Sequence, residues 1–310
     1  MDLPAEISVA DFDALHDAPE RWRGLITELA ATHGLGPVQQ PAESTALVAL
    51  GATAVIKLYP PFLRDHHAFE CGLLPRLHGR LSLPTPQLIA QGEHQGWPWL
   101  VISRLPGRTL TGVWPTLDEG QRCRLLHRLG ALAAQVHALP VGEQAALAPA
   151  WPEFLARQRA GCRRRQERTG LPAHLLDQLD SFLEGPLPAG PDVILTGEYT
   201  PMNLLHGPAA DAGLSGMFDF GDGLIGPREY DWLGPLCFLA AGSAARCAAF
   251  FSGYGVTVDG LGREQLMRLM LLHRYSCLPA QIALPGWQQS ASFEALALRI
   301  WPLTPASPRD

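Results

Sequence analysis

The stretch Val193-Ile-Leu-Thr-Gly-Glu198-Tyr-Thr-Pro-Met-Asn203-Leu-Leu-His206 carries a carboxylate and an amide on one loop. Shortly after it, Gly216-Met-Phe-Asp219-Phe-Gly-Asp222 places further carboxylates at the end of a strand. Hard oxygen donors of this kind suit Mg²⁺, which keeps several waters and binds through one or two protein groups plus substrate phosphates. A carboxylate near such an ion can also orient an acceptor hydroxyl. Lys57 supplies the cationic counterpart. It is the only lysine of a 310-residue chain whose Lys and Arg together number 24. A compact ammonium on a flexible stem reaches a phosphate through a narrow cleft, where the larger planar guanidinium fork fits less well. Each residue alone has a plainer reading: a strand lysine reaching solvent, a loop-capping Asn, a turn Asp. The plainer readings have to account for three groups at once.

These residues need elements to hold them. Ala46-Leu-Val-Ala-Leu-Gly51-Ala-Thr-Ala-Val-Ile-Lys57-Leu-Tyr-Pro60 reads as two short strands joined at Gly51, and alternation puts Val55, Lys57 and Tyr59 on one face and Ile56 and Leu58 on the other. An amphipathic stretch, about Asp11 to Leu29, precedes them. A helix is expected from about Arg64 to Leu77, limited or kinked by Pro75. Two more strands follow, about Gln87 to Gly92 and Trp99 to Arg104, and Leu105-Pro-Gly107 reads as a linker. Thr116-x-x-Glu119 predicts a capping box that opens a helix with Leu125, Leu129, Leu132 and Val136 at helical spacing, ending near Pro140. Helices about Pro152 to Glu167 and Pro172 to Leu183 are separated by Gly170. Strands about Asp192 to Thr196 and Gly213 to Phe218 flank the acidic loop, and the chain from Tyr230 onward is mostly helical.

The length suggests roughly two domains, and the expected boundary separates 1–104 from 105–310. Hydrophobic residues make up 47% and charged ones 17%. Arg246 interrupts the longest apolar run, so a transmembrane helix is not expected. Met1-Asp-Leu-Pro-Ala-Glu is acidic where a signal peptide is basic, which points to the cytoplasm. The 6 cysteines form no C-x-x-C pair, so they read as small apolar residues rather than as a disulfide framework or zinc site. With a net charge of −6 and basic residues clustered only at Arg163, Arg164, Arg165 and Arg168, neither nucleic acid nor membrane is an expected partner.

From about Glu43 to Leu236 the chain resembles the aminoglycoside phosphotransferase family, within the wider protein-kinase-like fold. The resemblance lies in an ordered set of pieces, and it implies an α+β fold of two lobes: a small antiparallel-sheet N-lobe with one main helix, which binds nucleotide, and a larger, mainly helical C-lobe. It implies that Lys57 pairs with nucleotide phosphates and that Glu70 holds Lys57. Trp99-Leu-Val-Ile-Ser-Arg-Leu-Pro-Gly107 is similar to the hinge, with Ser103 and Leu105 meeting adenine through backbone C=O and N–H. Leu129-Gly-Ala-Leu-Ala-Ala-Gln-Val-His137 resembles the helix behind the catalytic loop. Asn203 and Asp219 match the metal ligands, and Asp231 of Gly226-Pro-Arg-Glu-Tyr-Asp231 matches the aspartate that braces that loop. Asp222 has no settled role on this reading. His66, His67, His94, His137 and His206 show no ligand spacing and read as packing or surface residues.

Two departures from the family pattern stand out. Where the family loop usually reads His-Gly-Asp, this chain has Thr196-Gly197-Glu198, so the working carboxylate would be Glu198, longer by one methylene. The nucleotide loop lacks G-x-G-x-x-G and offers Pro41-Ala-Glu-Ser44-Thr45, in which Ser44 and Thr45 are the phosphate-facing candidates. The implied activity is Mg²⁺-dependent transfer of the γ-phosphoryl group of ATP or GTP to a hydroxyl of an aminoglycoside-like antibiotic or other hydroxylated small molecule. The alternative is a nucleotide-binding module without transfer, because Glu198 stands for the usual aspartate. A protein kinase is disfavoured because Asp219 and Asp231 lie too close for a long activation segment. From Asp231 onward the charges, Asp231, Asp259, Glu264, Glu294 and Asp310 against Arg246, Arg263, Arg268, Arg274, Arg299 and Arg309, are not the acidic face a polycation favours.

Overall fold

Alternating apolar residues and two close turns build a four-stranded antiparallel sheet near the start of the chain. In the computed structural model, which describes residues 3–39, 44–197, 199–209, 213–257 and 262–303, the chain divides into two compact units. One is Met1–Pro106 with Gly216–Asp222, and the other is Gly107–Ser215 with Gly223–Asp310.

The first unit opens with helices α1 (Val9–His16) and α2 (Arg23–Thr32). Its sheet comprises β1 (Leu47–Leu50), β2 (Ala54–Leu58), β3 (Leu88–His94) and β4 (Trp97–Ser103) in the order β1-β2-β4-β3, with α3 (Arg64–Leu77) between β2 and β3. Lys57 lies opposite Val48 on β1 and Leu100 on β4, so the strand that carries it is paired on both sides. Strand alternation then sorts the faces. Leu58 is fully buried with Leu47, Ala49 and Trp97 against Phe12, Leu15, Trp22, Leu25 and Ile26. Helix α3 sinks Phe69, Leu73, Leu74 and Leu77 to between 0% and 1% exposure. Each such side chain contributes about 1.5–3 kcal/mol of apolar burial, enough to hold the intervening Glu70 in the interior as well. Pro75 lies inside α3, and the helix ends shortly after it.

The second unit begins with β5 (Arg108–Thr109), α4 (Leu110–Val113) and the long α5 (Glu119–His137). Helices α6 (Trp151–Arg168) and α7 (Ala173–Leu183) follow, then strands β6 (Asp192–Leu195), β7 (Leu204–His206), β8 (Leu214–Met217), whose last two residues belong to the first unit, and β9 (Leu224–Pro227). After α8 (Glu229–Gly234) come α9 (Ala244–Tyr254), α10 (Arg263–Leu271), α11 (Leu278–Gln281) and α12 (Phe293–Ile300). The strands form two small sheets, β5-β7-β8 and β6-β9, and in the latter Ile194 faces Ile225 and Leu195 faces Leu224. Strands β7 and β9 were not anticipated, being only three or four residues long.

Helices α5 and α9 approach at glycines. A Cβ on Gly130 would lie 2.1 Å from the Phe250 carbonyl oxygen, and one on Gly253 1.8 Å from that of His127. Only a residue without Cβ allows this approach, and it brings the end of α5 to the end of α9. The start of α5 corrects the expected capping box. Asp118, not Thr116, is the cap: its side chain accepts from Gln121 N–H at 2.8 Å, and Gln121 Oε1 accepts from Asp118 N–H at 2.8 Å. Thr116 instead donates to the Val113 carbonyl at 2.7 Å within the preceding turn, and Glu119 pairs with Arg246 at 2.6 Å. Asp is at least as good a cap as Thr, and the Asp-x-x-Gln pattern two residues on completes the same reciprocal pair.

Candidate active site

A buried ionic cluster occupies the first unit. Lys57 on β2 is 6% exposed and Glu70 on α3 is 0% exposed. The Lys57 ammonium donates to Glu70 Oε1 at 2.8 Å, to Glu70 Oε2 at 2.9 Å and to Asp219 Oδ1 at 2.8 Å. Two further donors reach Glu70: the Tyr59 hydroxyl bonds Oε2, and the Phe220 N–H lies 3.4 Å from Oε1. A carboxylate buried to this depth is costly unless paired and hydrogen-bonded, and here a cation, a phenol and a backbone N–H share the task. Burial alone pulls the Lys57 ammonium down, but the charges of Asp219 and Glu70 outweigh it and hold its pKa well above the ordinary lysine range. Burial, followed by the Glu70 charge, pushes the Tyr59 phenol upward, so it stays protonated and donating.

Asp219 is reached through a strained turn. Its φ is +69°, a left-handed conformation that non-glycine residues adopt rarely and Asp more readily than most. The turn aims its carboxylate at Lys57 while leaving the side chain 34% exposed. Strain of this kind clusters at functional sites. Beyond it, Asp222 lies 3.1 Å from His66 Nδ1 on α3.

A second buried carboxylate organises the loop of the second unit. Asp231, at the first turn of α8, accepts the Thr196 N–H at 2.9 Å and the Thr196 hydroxyl at 3.3 Å on Oδ2, and the Gly197 N–H at 2.8 Å on Oδ1. His137 Nε2 stands 3.1 Å from Oδ2 and its Nδ1 2.8 Å from the Tyr254 hydroxyl. An ionised carboxylate only accepts, so Nε2 carries the hydrogen and, in the neutral ring, Nδ1 accepts from Tyr254. Burial raises the Tyr254 phenol above its ordinary value, and the Arg228 guanidinium lies 5.6 Å from the centre of its ring. Thr196, which stands where the family pattern has histidine, thus ties its side chain to Asp231.

The other expected site residues fall as follows. Glu198 lies outside the described residues, as does Pro41–Glu43. Asn203 is buried, its N–H donating to the Thr200 carbonyl at 3.1 Å. The Ser44 hydroxyl donates to the Ala46 carbonyl at 2.8 Å and meets His16 Nε2 at 3.2 Å, so it is engaged locally. Thr45 is exposed. Ser103 exchanges bonds with Gln87 through its N–H and its Oγ, and Leu105 lies half-buried just after β4. The structure therefore gathers Lys57, Glu70 and Asp219 into one cluster. It also gives His66 and His137 carboxylate partners, where the sequence suggested packing or surface roles. No spacing signal marked them, because their partners are far away in the chain. Among the described residues there is no group of three or more His, Cys, Asp or Glu side chains arranged to hold a metal, and no helix is long and apolar enough to cross a membrane.

Residues 12–266 match the model of a family described as the phosphotransferase enzyme family. Among solved structures, the GDP complex of wild-type aminoglycoside 2'-phosphotransferase-IIIa is similar with a TM-score of 0.65 at 19% identity, over 80% of this chain and 87% of that one. The streptomycin-ATP-APH(2")-IIa ternary complex gives a TM-score of 0.61 at 14% identity, over 80% and 89%. Macrolide 2'-phosphotransferase MphH from Brachybacterium faecium gives 0.57 at 21% identity, over 92% and 99%. No curated protein matches the sequence significantly. At such identities the likeness is one of fold: α+β and protein-kinase-like, with an antiparallel sheet and main helix in the N-terminal part and a mainly helical remainder.

Proposed function

The chain belongs to the phosphotransferase enzyme family and is a small-molecule kinase, and we propose that it moves the γ-phosphoryl group of ATP or GTP, with Mg²⁺, to a hydroxyl of a small molecule. The observation that carries this reading is the cluster of Lys57, Glu70 and Asp219. It is an ammonium held by two carboxylates on a strand paired on both sides, with one of those carboxylates a third exposed.

In this reading Lys57 binds the nucleotide phosphates and Glu70 fixes its direction. Asp219 and Asn203 are the metal-binding residues. The donor set fits magnesium: hard oxygens, few protein ligands, and an exposed carboxylate face. The ion, when bound, neutralises phosphate charge. Asp231 fixes the Thr196 and Gly197 backbone and so sets the start of the loop on which Glu198 follows, and Glu198 orients or deprotonates the acceptor. Catalysis is then mostly positioning and charge neutralisation.

Similar structures include complexes with streptomycin, kanamycin and gentamicin and a macrolide phosphotransferase. For this chain the acceptor class extends from such antibiotics to other hydroxylated small molecules, since the C-terminal charge balance does not favour a polycation. The test is a phosphate-transfer screen with Mg-ATP and Mg-GTP across aminoglycosides, macrolides, amino alcohols and sugars. Transfer to one class with loss on Asp219→Asn supports the reading. Tight nucleotide binding with neither transfer nor hydrolysis would instead identify a binding module.

A further inference from the structure

An ammonium has three hydrogens to donate, and in Lys57 all three are in use: two on the oxygens of Glu70 and one on Asp219. If Lys57 holds a nucleotide phosphate, the reading on which this inference rests, it has to turn at least one of them away from a present partner. Turning from Glu70 Oε2 would ordinarily strand a carboxylate oxygen in a residue with 0% exposure, and a buried acceptor left without a donor is heavily penalised. Tyr59 removes that obstacle. It lies two residues beyond Lys57, is 4% exposed, and its hydroxyl donates to that same oxygen. Oε1 meanwhile retains Lys57 and lies near the Phe220 N–H.

We propose that Tyr59 is a positioning residue for the nucleotide: its hydroxyl keeps Glu70 Oε2 hydrogen-bonded, so that Lys57 can direct one N–H to a phosphate while Glu70 Oε1 still holds the ammonium in place. The arrangement divides the two oxygens of Glu70 between two tasks. Oε1 anchors the cation, and Oε2 is the acceptor that can change donors. Burial and the Glu70 charge keep the phenol protonated, so Tyr59 remains a donor when the lysine turns. Phenylalanine fills the same space without the hydroxyl. It leaves Lys57 as the donor on which Oε2 depends, which makes the turn toward phosphate costlier.

The test is calorimetry of Mg-ATP and Mg-GTP against the full chain, for the parent, Tyr59→Phe, Glu70→Gln, the double variant and Lys57→Gln, with thermal unfolding of each. Tyr59→Phe should unfold cooperatively within a few degrees of the parent and bind its nucleotide roughly ten- to a hundredfold more weakly, the worth of one hydrogen bond to a charged group. In the Glu70→Gln background the same change should alter affinity less than about twofold, because the two residues act through one oxygen. A purely structural tyrosine would lower stability while leaving affinity alone, or would act equally in both backgrounds. Either result overturns the proposal. If the parent binds nucleotide and Lys57→Gln does not, while Tyr59→Phe binds like the parent, the inference falls and the assignment of Lys57 stands. If the parent binds neither nucleotide, both fall.

Discussion

Glu70 and Asp231 are both buried carboxylates on helices, each in its own compact unit, yet they are satisfied in opposite ways. Glu70 is held by an ammonium, and the cluster around it contains two carboxylates, Glu70 and Asp219, for one cation. Asp231 is held mainly by uncharged donors, two backbone N–H groups and a threonine hydroxyl, with an imidazole N–H beside them. On the function proposed above, the ionic cluster has strong interactions that a phosphate or metal would redistribute. The second carboxylate is saturated by groups that the backbone and the α5–α9 contact fix in place. The first is suited to binding charge, the second to holding a loop still.

Substitution at Lys57 separates the two carboxylates most forcibly. Lys57→Gln keeps a donor for Glu70 but removes the charge, and we expect phosphoryl transfer to fall by at least about a hundredfold, since loss of a preorganised electrostatic group typically costs 10²–10³ in rate. Removal of one partner of a buried ion pair also costs about 3–5 kcal/mol of stability, which denaturant unfolding would read. Asp219→Asn should approach the same loss of transfer with a smaller effect on unfolding, because its side chain is a third exposed. Transfer at parental rates in both variants would remove the ionic cluster from the mechanism.

Asp231→Ala should cost less in nucleotide affinity and more in architecture. It orphans the Thr196 and Gly197 N–H groups, at about 1–3 kcal/mol for each buried donor left unpaired. Turnover should drop while the nucleotide dissociation constant changes little, a division that steady-state kinetics beside calorimetry would show. Weakened nucleotide binding with unchanged turnover would erase the contrast between the two carboxylates. Tyr254→Phe removes the outer bond of the same network, from the hydroxyl to His137, together with the hydroxyl's hydrogen bond with Arg228, and should lower stability by about 0.5–1.5 kcal/mol per bond with a correspondingly modest loss of turnover. Smallest of all is Cys71→Ser. Burial, reinforced by the Glu70 charge, pushes the Cys71 thiol up to about 12, so it is protonated at neutral pH and a poor nucleophile. Its replacement should leave transfer within about twofold of the parent. An essential Cys71 in well-folded protein would reveal thiol chemistry beside the ionic cluster.

The asymmetry also explains what could be read from the sequence. Lys57 and Tyr59 share a face by simple strand alternation, whereas the role of Glu70 followed from the family resemblance, since helix glutamates are ordinarily solvated. The lone lysine and Asp219-Phe-Gly drew attention by type alone. His137, Tyr254 and Thr196 gave no such sign. The inner part of the Asp231 network, its hold on the Thr196 and Gly197 N–H groups, is what the family resemblance implied, but its outer part, His137 and Tyr254, depends on α5 and α9 meeting at Gly130 and Gly253, a contact between segments more than a hundred residues apart that no local pattern encodes. The same distance hid the His66–Asp222 pair. The left-handed turn at Asp219 was also illegible, because Asp, unlike Gly, does not advertise a positive φ. The start of α5 was misplaced by two residues because two overlapping capping patterns share the segment, and the better cap, Asp118, prevailed.

On the function proposed above, the buried ammonium of Lys57 is the nucleotide-phosphate ligand of this phosphotransferase. The most direct test is the binding isotherm of Mg-ATP and Mg-GTP to the parent and to Lys57→Gln, each with and without magnesium. Saturable, magnesium-dependent binding of at least one nucleotide to the parent is expected, with at least about tenfold weaker binding to a Lys57→Gln protein that unfolds cooperatively. Equal affinity of the two proteins for the nucleotide that the parent binds would contradict it.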